Sequence, residues 1–72
     1  MRMLKKLQWS VCLGLGRNAT HHIRTFQIEA PTLDSACSMA RQMYHFEVAK
    51  DVPRTDPIWN KMLTVSNCEE IG

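Results

Sequence analysis

The stretch Phe26-Gln27-Ile28-Glu29-Ala30-Pro31-Thr32-Leu33-Asp34-Ser35-Ala36 changes its hydrophobic period in the middle, and that change decides the fold. Phe26, Ile28 and Ala30 alternate with Gln27 and Glu29, which is the two-residue repeat of a strand with one buried face. Pro31-Thr32 ends the alternation. Thr32 is a residue type that caps the exposed amides of a helix, and Asp34 in the first turn suits the positive end of the helix dipole. Beyond them Leu33, Ala36, Cys37, Ala40, Met43 and Tyr44 recur at intervals of three and four residues, opposite Asp34, Ser35, Ser38, Arg41 and Gln42. This predicts an amphipathic helix whose small Ala36 and Ala40 sit close on a sheet.

Upstream, Leu7, Trp9, Val11, Leu13 and Leu15 alternate with Gln8, Ser10, Cys12 and Gly14, predicting a first half-buried strand with Trp9 in the core. Residues 16–21 join Gly, Asn and Thr into a hairpin loop, after which a second strand covers residues 23–30. Downstream, Phe46 and Val48 alternate with Glu47 and Ala49, which fits a short third strand or one more helical turn. Residues 50–57 contain Pro53, Asp56 and Pro57 and read as an exposed turn. Residues 58–66, with Trp59, Leu63 and Val65 on one face and Lys61 breaking the apolar set, read as a fourth strand at a sheet edge. Residues 67–72 read as a flexible tail. The expectation is a single α+β domain over residues 1–72, a small antiparallel sheet with one packed helix, in the order β-β-α-β-β.

At 72 residues the chain buries only roughly 60% of its unfolded surface, so its core is thin and a large enclosed active site is not expected. Forty-four per cent hydrophobic and 22% charged residues, with three Gly and three Pro, exclude a wholly disordered or collagen-like chain. The net charge of +2 is unevenly spread: residues 1–24 hold five bases and no acid, residues 25–72 four bases and seven acids. A basic hairpin face set apart from acidic ends suits phosphate or an acidic protein groove; it also serves simply as a solvated face. Cys12, Cys37 and Cys68 form an odd set, which points to a reducing, cytoplasmic location without disulfides. No stretch approaches the 18 apolar residues of a membrane span, and Gln8, Trp9 and Ser10 interrupt the one segment with the flavour of a secretory leader.

Tests for chemistry leave little. Gly14-Leu15-Gly16-Arg17-Asn18-Ala19 fits the glycine pattern of dinucleotide folds, but that turn must open into a helix and here it leads into a strand, so no cofactor is expected. His21, His22, His45 and the three cysteines lack metal-ligand spacing, and no orienting acid supports a cysteine nucleophile. The carboxylates are dispersed. We expect no catalytic and no metal-binding residues.

Binding is the better use of this architecture. Arg17, His21, His22 and Arg24 cluster at one hairpin end, where arginine can grip phosphate or carboxylate bidentately; Lys5 and Lys6 lie towards the other end of the first strand. Trp59 beside the proline turn serves as a core edge or as an aromatic anchor, and Arg54 and Lys61 extend that second region.

Residues 26–36, in a chain ordered strand, strand, helix, short strand, strand, resemble the small phage-encoded type I anti-CRISPR inhibitors, in which a sheet is packed by one helix. The likeness spans residues 7–66. It implies a non-enzymatic protein that acts in the host cytoplasm by binding the RNA-guided surveillance complex and obstructing DNA recognition or nuclease recruitment. The chain departs from the pattern where helix lysines would aid inhibition, carrying Cys37 and Gln42 at the corresponding places. The expected partner is therefore a host protein or ribonucleoprotein assembly, with no membrane involved. Two other readings stay open: a phosphate-contacting nucleic-acid binder using Arg17 and Arg24, and a structural subunit that forms a homodimer.

Overall fold

The computed structural model describes residues 7–71, so Lys5 and Lys6 lie outside the described residues. Five elements follow in order: β1 (Leu7–Leu15), β2 (His21–Ala30), α1 (Leu33–Asp51), a 3-10 turn (Pro57–Asn60) and β3 (Leu63–Glu70). The strands form one antiparallel sheet in the order β2-β1-β3, and α1 covers one of its faces. This is a small α+β fold of a three-stranded antiparallel sheet and one helix.

The helix begins where the period changes. Thr32 is extended, and its Oγ accepts a hydrogen bond from the Ser35 amide at 3.2 Å, satisfying one of the donors a helix start leaves open. Asp34 in the first turn and Lys50 in the last complement the dipole. The Val52 amide closes the last turn on the Val48 carbonyl at 2.8 Å, and Pro53 follows. Of the two readings of residues 46–49 the helical one is realised, because Val48 continues the four-residue repeat Ala36, Ala40, Tyr44. Those four side chains form the buried stripe of α1.

Against them lie Val11, Leu13 and Leu15 of β1 and Ile28 and Ala30 of β2, all buried, with Trp9, Phe26, Leu63, Val65 and Cys68 packed around the rim. Trp9 takes its expected place there, and its indole N–H donates to the Ala30 carbonyl at 2.9 Å. Leu33 and Met43, expected in the stripe, are 46% and 41% exposed. The helix phase is set by its i, i+4 contacts with the sheet, which rotates both towards solvent.

The end of the chain departs from expectation twice. Residues 57–60 are a 3-10 turn instead of the start of a strand, because the Asp56 side chain accepts from the Ile58 amide at 2.9 Å and the Trp59 indole N–H donates back to the Pro53 carbonyl at 2.9 Å. Residues 67–70, expected as a tail, pair with β1, with Asn67, Cys68, Glu69 and Glu70 opposite Cys12, Val11, Ser10 and Trp9. Ser66 is the extra residue of a bulge, since Val65 faces Leu13 while Asn67 already faces Cys12. The bulge moves the inward position from an odd residue, Val65, to an even one, Cys68, and so breaks the alternation that marks a strand.

Candidate functional site

The register places the expected contact residues at one end of the sheet. Leu15 pairs with both His21 and Leu63, and the C-terminal half of α1 reaches the same end, where the Tyr44 hydroxyl donates to the His22 carbonyl at 2.9 Å. Arg17 is exposed on the β1–β2 turn. His21 and His22 are exposed at the start of β2; His21 Nδ1 lies 3.1 Å from the Thr20 hydroxyl, and His22 has a φ of 49° within a bulge. Two residues, His22 and Ile23, stand there opposite Gly14 alone.

Arg24 differs from its hairpin neighbours. It pairs with Leu13 in the ladder and so shares the helix-facing side of the sheet. Its guanidinium reaches Asp51 at the end of α1, Nη2 to Oδ2 at 3.0 Å, and also donates to the Ile23 carbonyl. The cation expected as a solvent-facing anchor is thus committed to an acid of the same chain. Both partners are partly exposed, so the pair is worth only about 0.5 kcal/mol. A double-mutant cycle of Arg24→Ala and Asp51→Ala, read by urea denaturation, is expected to return a coupling of that size, shrinking with added salt.

The second region is built around Trp59. Its ring stacks on His45 with centroids 6.0 Å apart, and the Arg54 guanidinium lies 5.5 Å from its centroid, within cation–π range. Lys61 is exposed just after the turn, its amide bonded to the Ile58 carbonyl. Beside this stack a cavity of about 550 Å³ opens between α1 and the turn, lined by Gln42, His45, Phe46, Ala49 and Arg54. Phe46 stands at it with 76% of its surface in solvent. Met39 and Met43, both more than two-fifths exposed, continue from Phe46 along the outer face of α1 at helical spacing.

Sequence reasoning found Arg54 and Trp59 but missed Phe46, Gln42, His45 and Ala49. The signal was present as a second stripe, Met39, Met43 and Phe46 at i, i+4 and i+7, lying beside the stripe that packs on the sheet.

The sheet face away from α1 is polar. By register it carries Gln8, Ser10 and Cys12 from β1, Thr25, Gln27 and Glu29 from β2, and Asn67 and Glu69 from β3, with no lysine or arginine among the described residues. There the Ser66 and Thr25 hydroxyls, hydrogen-bonded to Cys12, draw its thiol below the usual range. Among the described residues no group of three or more His, Cys, Asp or Glu is placed to hold a metal ion, and no helix is long and apolar enough to cross a membrane. No protein-family model, curated protein or solved structure matches the chain.

Proposed function

We propose that this chain is a non-enzymatic protein-binding inhibitor that acts by occupying the surface of a host assembly, and that its contact surface is the outer face of α1 with the turn that follows it. The observation that carries this reading is Phe46, a large aromatic side chain left in solvent beside an open cavity whose other walls are Gln42, His45, Ala49 and Arg54. A thin core gains from burying such a ring, so leaving it outside is a stability sacrificed to something else. Aromatic and arginine side chains dominate the energetics of protein interfaces, and Phe46, Trp59 and Arg54 supply all three anchors within one region. The exposed methionines adapt to irregular partner surfaces.

A protein partner is favoured over nucleic acid by two features. Arg24 is held by Asp51, and the open sheet face carries Glu29 and Glu69 where a phosphate-tracking surface needs cations. The narrower proposal, that the partner is an RNA-guided surveillance complex, is supported by the resemblance of residues 26–36 alone.

The test is affinity capture from a host lysate with nuclease treatment and a salt series in parallel, followed by titration of the recovered partner. One assembly surviving nuclease is expected, with Phe46→Asp weakening its affinity by about 30-fold or more and Arg17→Ser leaving it within about threefold. Loss of every partner on nuclease treatment, or equal weakening by Arg17→Ser, overturns the reading.

A further inference from the structure

The acids near the C-terminal end of α1 are all engaged within the chain. Across residues 41–61, Glu47 faces Lys50 at 3.6 Å, Asp51 holds Arg24 at 3.0 Å, and the Asp56 carboxylate accepts from the Ile58 amide at 2.9 Å. The bases there are not. Arg41, Arg54 and Lys61 are exposed, and among the described residues none of them meets a carboxylate in a salt bridge. Nor does a carboxylate among the described residues line the cavity beside Trp59, whose walls are Gln42, His45, Phe46, Ala49 and Arg54.

We infer that this cavity is a recognition pocket for an acidic peptide segment of the partner, taking an aromatic side chain against Phe46 and a flanking carboxylate on Arg54. The inference rests on the assignment of this face as the contact surface and adds the chemistry of what it grips. An opening of about 550 Å³ falls within the roughly 300–1,000 Å³ of pockets that seat compact organic groups. Phe46, 76% exposed, and Ala49 give it an apolar wall, and a ring entering there meets Phe46 offset or edge to face. Gln42 and His45 add hydrogen-bonding groups, and the Arg54 guanidinium is a planar fork of donors that matches a carboxylate bidentately. Arg41 precedes His45 by one helical turn, so a second cation stands on the same side of α1 for a second acid of the segment.

The pocket is shaped before a ligand arrives. The Trp59 ring lies within 23° of parallel to His45, with centroids 6.0 Å apart, and its indole N–H is bonded to the Pro53 carbonyl, so the ring that carries Arg54 is held at two points. A guanidinium resting on a fixed ring loses less freedom on pairing with an acid than one on a free stem. A basic segment meets like charge at the same place. Among the described residues the walls include one arginine and no lysine, short of the row of cations that a phosphate backbone needs.

The capped peptide Glu-Phe-Glu is titrated into the isotope-labelled full chain and followed by amide chemical shifts, with Lys-Phe-Lys, Gln-Phe-Gln, Glu-Ala-Glu and a short oligothymidylate in parallel. Saturable binding with a Kd on the order of 1 mM is expected, with the shifts centred on residues 42–61. Gln-Phe-Gln and Glu-Ala-Glu should bind about fivefold more weakly and Lys-Phe-Lys about tenfold or more. Arg54→Gln should weaken Glu-Phe-Glu by about fivefold and Arg54→Lys by less, and added salt should weaken it without affecting Gln-Phe-Gln. No saturable binding, equal affinity for the acidic and basic peptides, equal or tighter binding of the oligothymidylate, or unchanged affinity in Arg54→Gln overturns the inference. None of these outcomes alters the effect of Phe46→Asp on a captured assembly, so the peptide chemistry and the contact face fall separately.

Discussion

Replacing Tyr44 by alanine is expected to leave the chain largely unfolded at 25 °C. Tyr44 is the bulkiest of the fully buried side chains and the third step of the stripe Ala36, Ala40, Tyr44, Val48, whose first two members are too small to fill the interface. Removing an aromatic ring from a packed core costs about 3–5 kcal/mol, the transfer free energy of the ring plus the cavity it leaves. A domain of this size holds roughly 4–10 kcal/mol in total, so the loss consumes much or all of it. Tyr44→Phe separates ring from hydroxyl. It keeps the packing and deletes only the hydroxyl, with its bond to the His22 carbonyl at 2.9 Å and its longer contact to the His21 carbonyl at 3.5 Å, at a cost of about 1 kcal/mol. Circular dichroism along a urea gradient checks both: Tyr44→Ala should show no cooperative transition, and Tyr44→Phe a shifted but still sharp one. Alkali provides a second check. Burial raises the Tyr44 phenol above its ordinary value of 10, so the unfolded chain releases that proton first. Stability attributable to it is complete below pH 10 and is lost as pH rises towards the folded-state value, a decline that Tyr44→Phe should lessen.

The same stripe shows how far a sequence carries. Pro31-Thr32 marked the change of period, and the alternation from Leu7 to Leu15 placed all five inward residues of β1 correctly, because one-sided burial leaves its full signature in nine residues. Four residues are too few. Phe46 to Ala49 match a strand and a helical turn equally, and only the sheet contact of Val48 decides between them. The bulge at Ser66 hid the second half of β3, since one extra residue exchanges the two faces. At the candidate site, Trp59 and Arg54 stood out by residue type, whereas Phe46 needed the helix phase to be known before its exposure became visible. Arg24 carried a readable signal: it shares parity with Phe26 and Ile28, which already puts it on the helix side of the sheet. What no pattern in the sequence announces is that Asp51, 27 residues further on, comes round to meet it.

Gly14→Val is expected to be the most damaging change in the hairpin, more so than any substitution in its exposed turn. Gly14 is buried, and a Cβ there would lie 2.9 Å from the Ala19 carbonyl oxygen and 3.0 Å from that of His21, both backbone atoms. The crowding follows from the local geometry. Ala19 has a φ of 51° and only 3% exposure, so the loop folds back over β1, while His22 and Ile23 bulge opposite Gly14. Neither carbonyl can yield without moving the loop or slipping the β1–β2 register. Even alanine should cost about 2–3 kcal/mol and valine more. Gly16 offers the contrast. Its φ of 99° disfavours any side chain, but its nearest neighbour is the solvent-exposed His21 side chain at 3.3 Å, with no backbone atom as close. Gly16→Ala is therefore expected to cost about 1–2 kcal/mol through backbone strain, without a clash. Urea midpoints for Gly14→Ala, Gly14→Val and Gly16→Ala should fall in the order Gly16→Ala, Gly14→Ala, Gly14→Val, the last being least stable. Amide hydrogen exchange should show protection lost first at the hairpin end of β2 in the Gly14 variants. Equal midpoints for Gly14→Ala and Gly16→Ala would mean that the loop does not lie on Gly14. The β1–β2 turn carrying Arg17 would then be an open hairpin instead of one folded back onto its own strand.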